Sequence, residues 1–181
     1  MLVKKERYKT GRFALTRAEY EAIRAVIDNF EDEVLIRLAV ASGMRREDIV
    51  NVKISDIKLE DHRIFFFEHK KDKIHSFHVS GDLMQLVVKY LGTLPRNQQK
   101  LLDMSSKTAY NRFQRLCERA GIPKRPFHAL RSTCIKFCQL AGWTPEQTAA
   151  LVDDTIAVIQ EHYLTPSEAE MKEVCQKKGF A

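Results

Sequence analysis

The sequence predicts a mainly α-helical domain that contains one small three-stranded antiparallel sheet. Three observations support this fold class. Apolar residues recur at helical spacing over most of the chain, the period changes between residues 53 and 79, and no linker rich in Pro, Gly or Ser interrupts the 181 residues. A chain of this length with 44% hydrophobic residues can bury one core, so we expect a single domain.

Three helices are expected before the sheet. Thr16 and Glu19 have the spacing of a capping box, and apolar residues at helical spacing then predict a helix over about 17–29. A second apolar run over 34–40 ends near a glycine, which suits a helix C-terminus. A short helix follows at about 46–51, and the sharp turn before it displays Gly43, Met44, Arg45 and Arg46.

The sheet is expected where the helical period is lost. Short apolar groups around 54–59, 64–67 and 74–79 predict three strands, with turns at 61–62 and 70–73. Since the connections are short, the strands pair as antiparallel neighbours.

The helical period then returns and continues to the end of the chain. Thr144 and Pro145 fit the N-cap and first helical position of one helix. The other expected helices cover residues 83–91, 106–120, 127–140 and 156–163, with an amphipathic tail over 167–178.

Composition excludes several classes of protein. Only 7 Gly and 5 Pro exclude a collagen-like or low-complexity chain, and no apolar run reaches the length of a membrane span. The first residues lack the apolar run of a signal peptide, so we expect a soluble, cytoplasmic protein. The four cysteines fit buried free thiols better than a disulfide framework or a zinc site, and we expect no metal: Cys117, Cys134, Cys138 and Cys175.

The charge of the chain is unevenly distributed. The net charge is +6, but residues 105–140 carry eight basic residues against one acid, and residues 141–175 carry seven acids against one lysine. Residues 1–12 add five basic residues against one acid. A basic region beside an acidic one favours a polyanionic partner such as nucleic acid.

Four features with chemical potential follow one another along the chain. They are Arg45 at a helix turn, the lysines of the second strand turn, the pair His128 and Arg131 at positions i and i+3, and Tyr163 near a helix end. Taken singly, each has a plain interpretation as a solvated arginine, a charged turn, a basic helix face or a packed tyrosine.

Taken together, these residues resemble the catalytic domain of the tyrosine recombinases, the phage-integrase family. The sequence GMRREDI at 43–49 is similar to the first box of that family, and the sequence HALR at 128–131 matches its H-x-x-R box. The family also carries a lysine in the corresponding hairpin and a tyrosine near the end. The resemblance covers about residues 14–165 and implies the tyrosine recombinase fold, with these catalytic residues: Arg45, Lys70 or Lys71, His128, Arg131 and Tyr163.

The resemblance implies a transesterification without metal or cofactor. Two guanidiniums would bind the anionic oxygens of a phosphodiester, and the tyrosine would attack phosphorus to form a 3′-phosphotyrosyl bond. The histidine is the nearest plausible proton acceptor, and the hairpin lysine would protonate the leaving 5′-oxygen. On one sequence, a structural role for the histidine stays open.

Two features depart from the family pattern. Asp154, nine residues before Tyr163, stands where the family has His or Trp, so the carboxylate either slows the reaction or turns away from the site. The family usually carries an N-terminal DNA-clamping domain, whereas here only residues 1–13, a basic arm or linker, precede the first helix, so we expect either a catalytic fragment or an unusually small family member. Residues 14–165 would form the catalytic domain and 166–181 a tail helix that folds back or is exchanged between protomers.

The expected partner is double-stranded DNA, bound by a homo-oligomer without involvement of a membrane. Phosphate contacts are expected from the basic stretch, at Lys107, Arg112, Arg115, Lys124 and Arg125. The biological setting implied is DNA integration or recombination by a mobile genetic element. Two alternatives stay open, namely a DNA-binding protein on this fold with impaired catalysis and a type IB topoisomerase-like enzyme.

Overall fold

The fold is mainly helical with one three-stranded antiparallel sheet, as the sequence predicted. The structure, a computed structural model, describes residues 13–179. The basic arm expected at the N-terminus therefore lies almost wholly outside the described residues.

The elements follow the predicted order. Before the sheet come α1 (Arg17–Ala25), α2 (Phe30–Ser42) and α3 (Arg46–Ile49). The strands are β1 (Ile57–Lys58), β2 (Arg63–Glu68) and β3 (Lys73–His78). The remaining helices are α4 (Gly81–Leu91), α5 (Ser106–Arg119), α6 (Ala129–Leu140), α7 (Pro145–Val152), α8 (Ile156–Leu164) and α9 (Glu168–Lys178).

The first helix is shorter than expected, for a local reason. Thr16 and Glu19 form the predicted capping box at its start, but the helix ends at Ala25. The side chain of Asn29 then accepts a hydrogen bond from the backbone N–H of Asp32 at 2.8 Å, which caps α2. Because an N-cap residue has extended backbone, residues 17–29 cannot form one helix.

The sheet has the order β1-β2-β3, and its alternation determines which side chains face the core. Ile64 and Phe66 of β2 are buried, whereas Phe67 is 44% exposed. The same period turns Glu68 inward, where only 1% of the residue is exposed. The strand thus ends with a buried carboxylate directly before the β2–β3 turn.

Helix α2 lies at the centre of the domain. Val34, Leu35, Ile36 and Leu38 have no solvent exposure, because α4 and α6 pack against different sides of this helix. A second, smaller apolar cluster joins α6 to α7 and α8 through residues such as Ile135. The carboxyl end of α2 therefore comes close to α6 and to the end of α7.

The cysteines agree only in part with expectation. Cys117, Cys134 and Cys138 are buried free thiols, but Cys175 on α9 is exposed. Over residues 13–179, no group of three or more His, Cys, Asp or Glu side chains could hold a metal ion. None of the helices over this range is long and apolar enough to cross a membrane.

Gly43, at the end of α2, is expected to tolerate no side chain. Its φ of 65° is left-handed, and an added Cβ would lie 2.7 Å from Cγ1 of Val152. Backbone strain costs about 1–2 kcal/mol and overpacking about 1–3 kcal/mol. We predict that Gly43→Ala lowers the free energy of unfolding by roughly 2–5 kcal/mol in urea denaturation.

Gly142→Ala is the matched control for this prediction. Gly142 also has a left-handed φ, 82°, but nothing lies within 4 Å of its hypothetical Cβ. Gly142→Ala should therefore lower the free energy of unfolding only by the cost of backbone strain, about 1–2 kcal/mol. Equal losses in the two variants would show that the contact with Val152 has no energetic importance.

Candidate active site

Arg45 occupies the turn between α2 and α3. Gly43 ends α2 in the left-handed conformation, and Arg45 then caps α3 with extended backbone. Its guanidinium pairs with the carboxylate of Glu68 at the end of β2. Since Glu68 is buried, Arg45 compensates a negative charge that would otherwise be costly.

Arg131 lies in the first turn of α6, and its side chain is buried. Nη1 donates to the carbonyl of Gly43 at 2.8 Å, and Nη2 donates to the carbonyl of Val152 at 2.8 Å and to Asp154 Oδ2 at 3.0 Å. Burial, and then the nearby charge of Arg45, lower the pKa of Arg131. The two predicted arginines therefore lie in one site.

His128 directly precedes α6 and borders the same site. The residue is exposed and lines the cleft. Desolvation of the ring by its neighbours, followed by the positive charges of Arg131 and Arg45, lowers the pKa of His128. The imidazole is therefore neutral at pH 7, which is the form that can accept a proton.

The two predicted hairpin lysines have different surroundings. Lys71 Nζ lies 2.9 Å from Asp153 Oδ2 and 3.9 Å from Glu68 Oε1. Lys70 is exposed and forms no ion pair or hydrogen bond within residues 13–179. Its side chain lines the cleft next to His128. Lys70 is therefore available to a ligand, whereas Lys71 already has acidic partners.

Two consecutive acids at the end of α7 contact the lysines of the β2–β3 hairpin and Arg131. Asp153 Oδ2 lies 2.8 Å from Lys73 Nζ and also contacts Lys71, whereas Asp154 pairs with Arg131. Burial opposes ionisation, but hydrogen bonds to their partners lower the pKa of both carboxyls. The carboxylate of Asp154 thus points into the site and pairs with Arg131. The expectation that this carboxylate turns away from the site is wrong.

The hydroxyl of Tyr163 is directed at α7. It lies 2.6 Å from Thr148 Oγ1 and donates to the carbonyl of Trp143 at 3.1 Å. Burial raises the pKa of Tyr163, partly offset by the hydrogen bond with Thr148. The structure therefore places this residue at the edge of the site, but does not bring its hydroxyl into contact with the arginines.

His162, the preceding residue, is a second histidine whose pKa responds to the charges of the site. It is 2% exposed, and its Nδ1 has no partner in the part of the chain that the structure describes. Burial, followed by the positive charges of His128, Arg131 and Lys136, lowers the pKa of His162 to about 4. The His162 imidazole is therefore buried and neutral at pH 7.

Arg45, Lys70 and His128 line a cleft of about 410 Å³ between α3, the β2–β3 turn and α5. Three of the eleven lining residues are Arg or Lys, two are histidines and two are acids, and both acids are engaged. Asp48 accepts hydrogen bonds from the backbone N–H of His69 at 3.0 Å and contacts its Nδ1 at 2.9 Å, and Glu47 pairs with Ser106 Oγ at 2.5 Å. The cleft lining is Met44, Arg45, Arg46, Glu47, Asp48, His69, Lys70, Tyr110, Pro126, Phe127 and His128.

The residues predicted to bind DNA lie on α5 and on the loop after it, and several have partners within the chain. Arg112 Nη1 lies 2.6 Å from Glu31 and 2.9 Å from Asp32. Arg125 donates to the backbone carbonyl of Ala14 at 2.7 Å and pairs with Glu19 at 2.5 Å. Both arginines therefore hold helices together.

The other three are more accessible. Lys124 forms an exposed pair with Glu118 at 3.4 Å, and Arg115 borders the surface groove next to Arg112. Lys107 is exposed in the first turn of α5 and has no ion pair within the described residues. A role of all five in DNA binding stays a prediction.

Four residues that organise the site were not among the predicted site residues. The alternation of β2 was a usable signal for Glu68, and position i+3 from Arg45 was one for Asp48. Spacing gave no signal for the partners of Tyr163 and the hairpin lysines, because these contacts join distant elements. The four are Asp48, Glu68, Thr148 and Asp153.

Known proteins share this fold. The phage integrase family profile matches residues 14–146. The tyrosine recombinase XerA of Saccharolobus solfataricus is 28% identical over 120 residues, covering 66% of this chain and 40% of the relative. The crystal structure of XerA recombinase has a TM-score of 0.75 at 19% identity, covering 93% of this chain and 65% of that chain.

A second solved structure is the site-specific recombinase XerH bound to difH substrate in a pre-cleavage complex. Its TM-score is 0.68 at 18% identity, and it covers 93% of this chain and 55% of that chain. The chain belongs to the phage integrase family, and its fold is that of the tyrosine recombinases. It spans less than half the length of the curated relative that it matches.

The buried His162 should make the fold sensitive to mild acid. Its pKa is lowered in the folded state, so below pH 6.5 the unfolded chain binds the proton more readily and stability decreases until about pH 4. We predict a loss of up to about 3 kcal/mol in urea unfolding between pH 7 and pH 4, much of it removed by His162→Leu.

His78→Gln is the control for this titration, because His78 is exposed on β3. That variant should follow the pH dependence of the parent chain. Parallel pH profiles for His162→Leu and the parent chain would contradict a neutral, buried His162.

Proposed function

We propose that this chain is the catalytic part of a recombinase that cleaves and rejoins DNA strands through a tyrosine-linked intermediate. The observation that carries the proposal is that Arg45, His128 and Lys70 line one cleft, while the buried guanidinium of Arg131 is hydrogen-bonded to Gly43 at the turn that carries Arg45. Family membership supports the same reaction class, since the family is defined by recombinases and integrases. The proposed partner is double-stranded DNA.

The two guanidiniums would bind the non-bridging oxygens of the scissile phosphate. Arg45 and Arg131 carry permanent charge and present several N–H donors in a plane, which suits an anionic oxygen in the transition state. The carbonyls of Gly43 and Val152 fix the orientation of Arg131 before any ligand arrives. Little reorganisation is then needed when the phosphate binds.

The proton transfers can be assigned from the surroundings of each group. Tyr163 Oη loses its proton, with neutral His128 as the proposed acceptor, and forms a bond to phosphorus. The bond from phosphorus to the 5′-oxygen breaks, and Lys70 donates a proton to that oxygen. We favour Lys70 over Lys71 because Lys71 is held by Asp153.

Attack requires the tyrosine to change position. Its hydroxyl must leave Thr148 and the carbonyl of Trp143 and move towards the arginines. Since Tyr163 lies in the last turn of α8, a movement of that helix end would suffice. We propose that DNA binding, or contact with a second copy of the chain, drives this movement.

A catalytically impaired DNA-binding protein is the second candidate. The observation in its favour is the pair between Asp154 and Arg131, which places a carboxylate where the scissile phosphate would bind. The position of the Tyr163 hydroxyl supports the same candidate. On this hypothesis the chain binds DNA but forms no covalent bond with it.

The covalent intermediate provides the decisive test. We would incubate the chain with nicked duplexes whose central sequence is randomised, isolate protein–DNA adducts that survive denaturing electrophoresis, and sequence the DNA. We predict adducts that disappear in Tyr163→Phe, because only the hydroxyl is removed. Tyr20→Phe, a buried tyrosine outside the site, is the matched control and should retain them.

Each outcome of this experiment separates the candidates. DNA binding without adducts in the parent chain would favour the impaired DNA-binding protein. Adducts without sequence preference, together with relaxation of supercoiled plasmid, would favour a type IB topoisomerase-like activity. Absence of DNA binding would overturn both DNA-based proposals.

The Asp154 carboxylate should weaken phosphate binding. Asp154→Asn removes the negative charge that competes for Arg131, while the two backbone carbonyls still hold the guanidinium. We predict that a labelled 30-bp duplex binds roughly tenfold tighter, which corresponds to about 1.4 kcal/mol. Fluorescence anisotropy measures the change directly.

Asp61→Asn controls for the general loss of one negative charge. Asp61 is exposed in the turn between β1 and β2, at the opposite end of the sheet from the lysines. Its affinity for the duplex should stay near that of the parent chain. An equal gain in both variants would mean that net charge, and not the pair with Arg131, controls binding.

A further inference from the structure

The side chain of Arg46 is not explained by the chemistry at the scissile phosphate. We propose that Arg46 and Tyr110 form a binding site for a second DNA phosphate, adjacent to the one held by Arg45 and Arg131. This inference rests on the proposed function and identifies a further contact of the same cleft. The evidence lies in the direction of the side chain, its stacking and its lack of an acidic partner.

Consecutive arginines diverge at the start of α3. Arg45 points to Glu68 at the end of β2, whereas the Arg46 guanidinium lies 5.7 Å from the ring centroid of Tyr110 on α5. Both side chains line the same cleft. Because the two arginine side chains extend towards different elements, they are better placed to bind two neighbouring anions than a single one.

Stacking on an aromatic ring prepares a guanidinium for an anion. The Cζ atom of Arg46 lies over the ring of Tyr110, 5.7 Å from its centroid and within cation–π range, and the N–H donors of a guanidinium lie in the plane of the group. This interaction favours rotamers that hold the guanidinium over the ring, while its donors stay free. Binding of a phosphate at the edge of the guanidinium therefore costs less conformational entropy, because the rotamers of the arginine side chain are already restricted.

No acid neutralises this arginine. Within residues 13–179, Arg46 forms no ion pair and no hydrogen bond. The two carboxylates that follow it in sequence have other partners, since Glu47 contacts Ser106 and Asp48 contacts His69. Arg46 thus differs from Arg45 and Arg131, each of which pairs with a carboxylate.

The surroundings extend the site along a strand. Lys107 lies one turn before Tyr110 on α5 and is exposed, so it adds positive charge beside the stacked pair. On the other side, the cleft continues to His128 and Lys70. A DNA strand that crosses the cleft would place its scissile phosphate at one site and a phosphate on one side of it, along the same strand, at the proposed second site.

The salt dependence of DNA binding tests the proposal. Each phosphate neutralised contributes about 0.9 to the slope of log K against log salt concentration. Using a fluorescein-labelled 30-bp duplex of random sequence, we expect Arg46→Gln to reduce the slope by about 0.9, Lys70→Gln by about the same, and the double variant by about 1.8. Arg46→Lys should restore the slope, because it keeps the charge.

Arg96→Gln is the matched control, because Arg96 is an exposed arginine between α4 and α5. Its slope should equal that of the parent chain. Thermal unfolding of every variant identifies any that is misfolded. If Arg46→Gln is misfolded, the slope of Arg46→Lys, which keeps the positive charge, is compared with that of the parent chain. A slope for Arg46→Gln equal to that of the parent chain, or a double variant no different from Lys70→Gln, would overturn the second site.

Failure of this inference can be told apart from failure of the proposed function. If the parent chain forms Tyr163 adducts and Arg46→Gln has the parental slope, only the second phosphate site is wrong. If the parent chain shows no salt-dependent binding to DNA, the proposed function itself is wrong.

Discussion

The candidate site depends on the buried guanidinium of Arg131. Its donors join the end of α2 at Gly43, the end of α7 at Val152 and the side chain of Asp154 to the start of α6. A buried charge is costly unless its donors are satisfied, so these segments cannot separate without leaving a cation unpaired. The turn that carries Arg45 is held in place because its first residue, Gly43, supplies one of the carbonyls.

Bringing several cations together has a second consequence. Arg45, Arg131 and the hairpin lysines repel one another, and nearby carboxylates offset this repulsion at Glu68, Asp153 and Asp154. A phosphate would supply the same kind of charge. On the proposed function, the free energy of phosphate binding would be the difference between the ion pairs within the chain and the cation–phosphate pairs that replace them.

Most of the fold could be predicted from local patterns. The capping box at Thr16, the N-cap at Thr144, the three strands and the order of the helices all follow from residues close in sequence. The apolar spacing does not give the exact ends of the helices. At Asn29, a single side-chain hydrogen bond caps α2 and so separates it from the helix before it. The exposure of Cys175 also depended on how α9 packs, which no local pattern records.

The amino-acid sequence alone identifies the family and the fold class of this protein, and it predicts the residues of the candidate site. It does so because the boxes around Arg45, Arg131 and Tyr163 are short and contiguous. The three-dimensional structure establishes which atoms meet: Asp154 faces Arg131, the Tyr163 hydroxyl contacts Thr148, and Lys70 has no acidic partner among the described residues. These outcomes depend on packing between elements far apart in the chain, and spacing along a sequence carries no information about such distances.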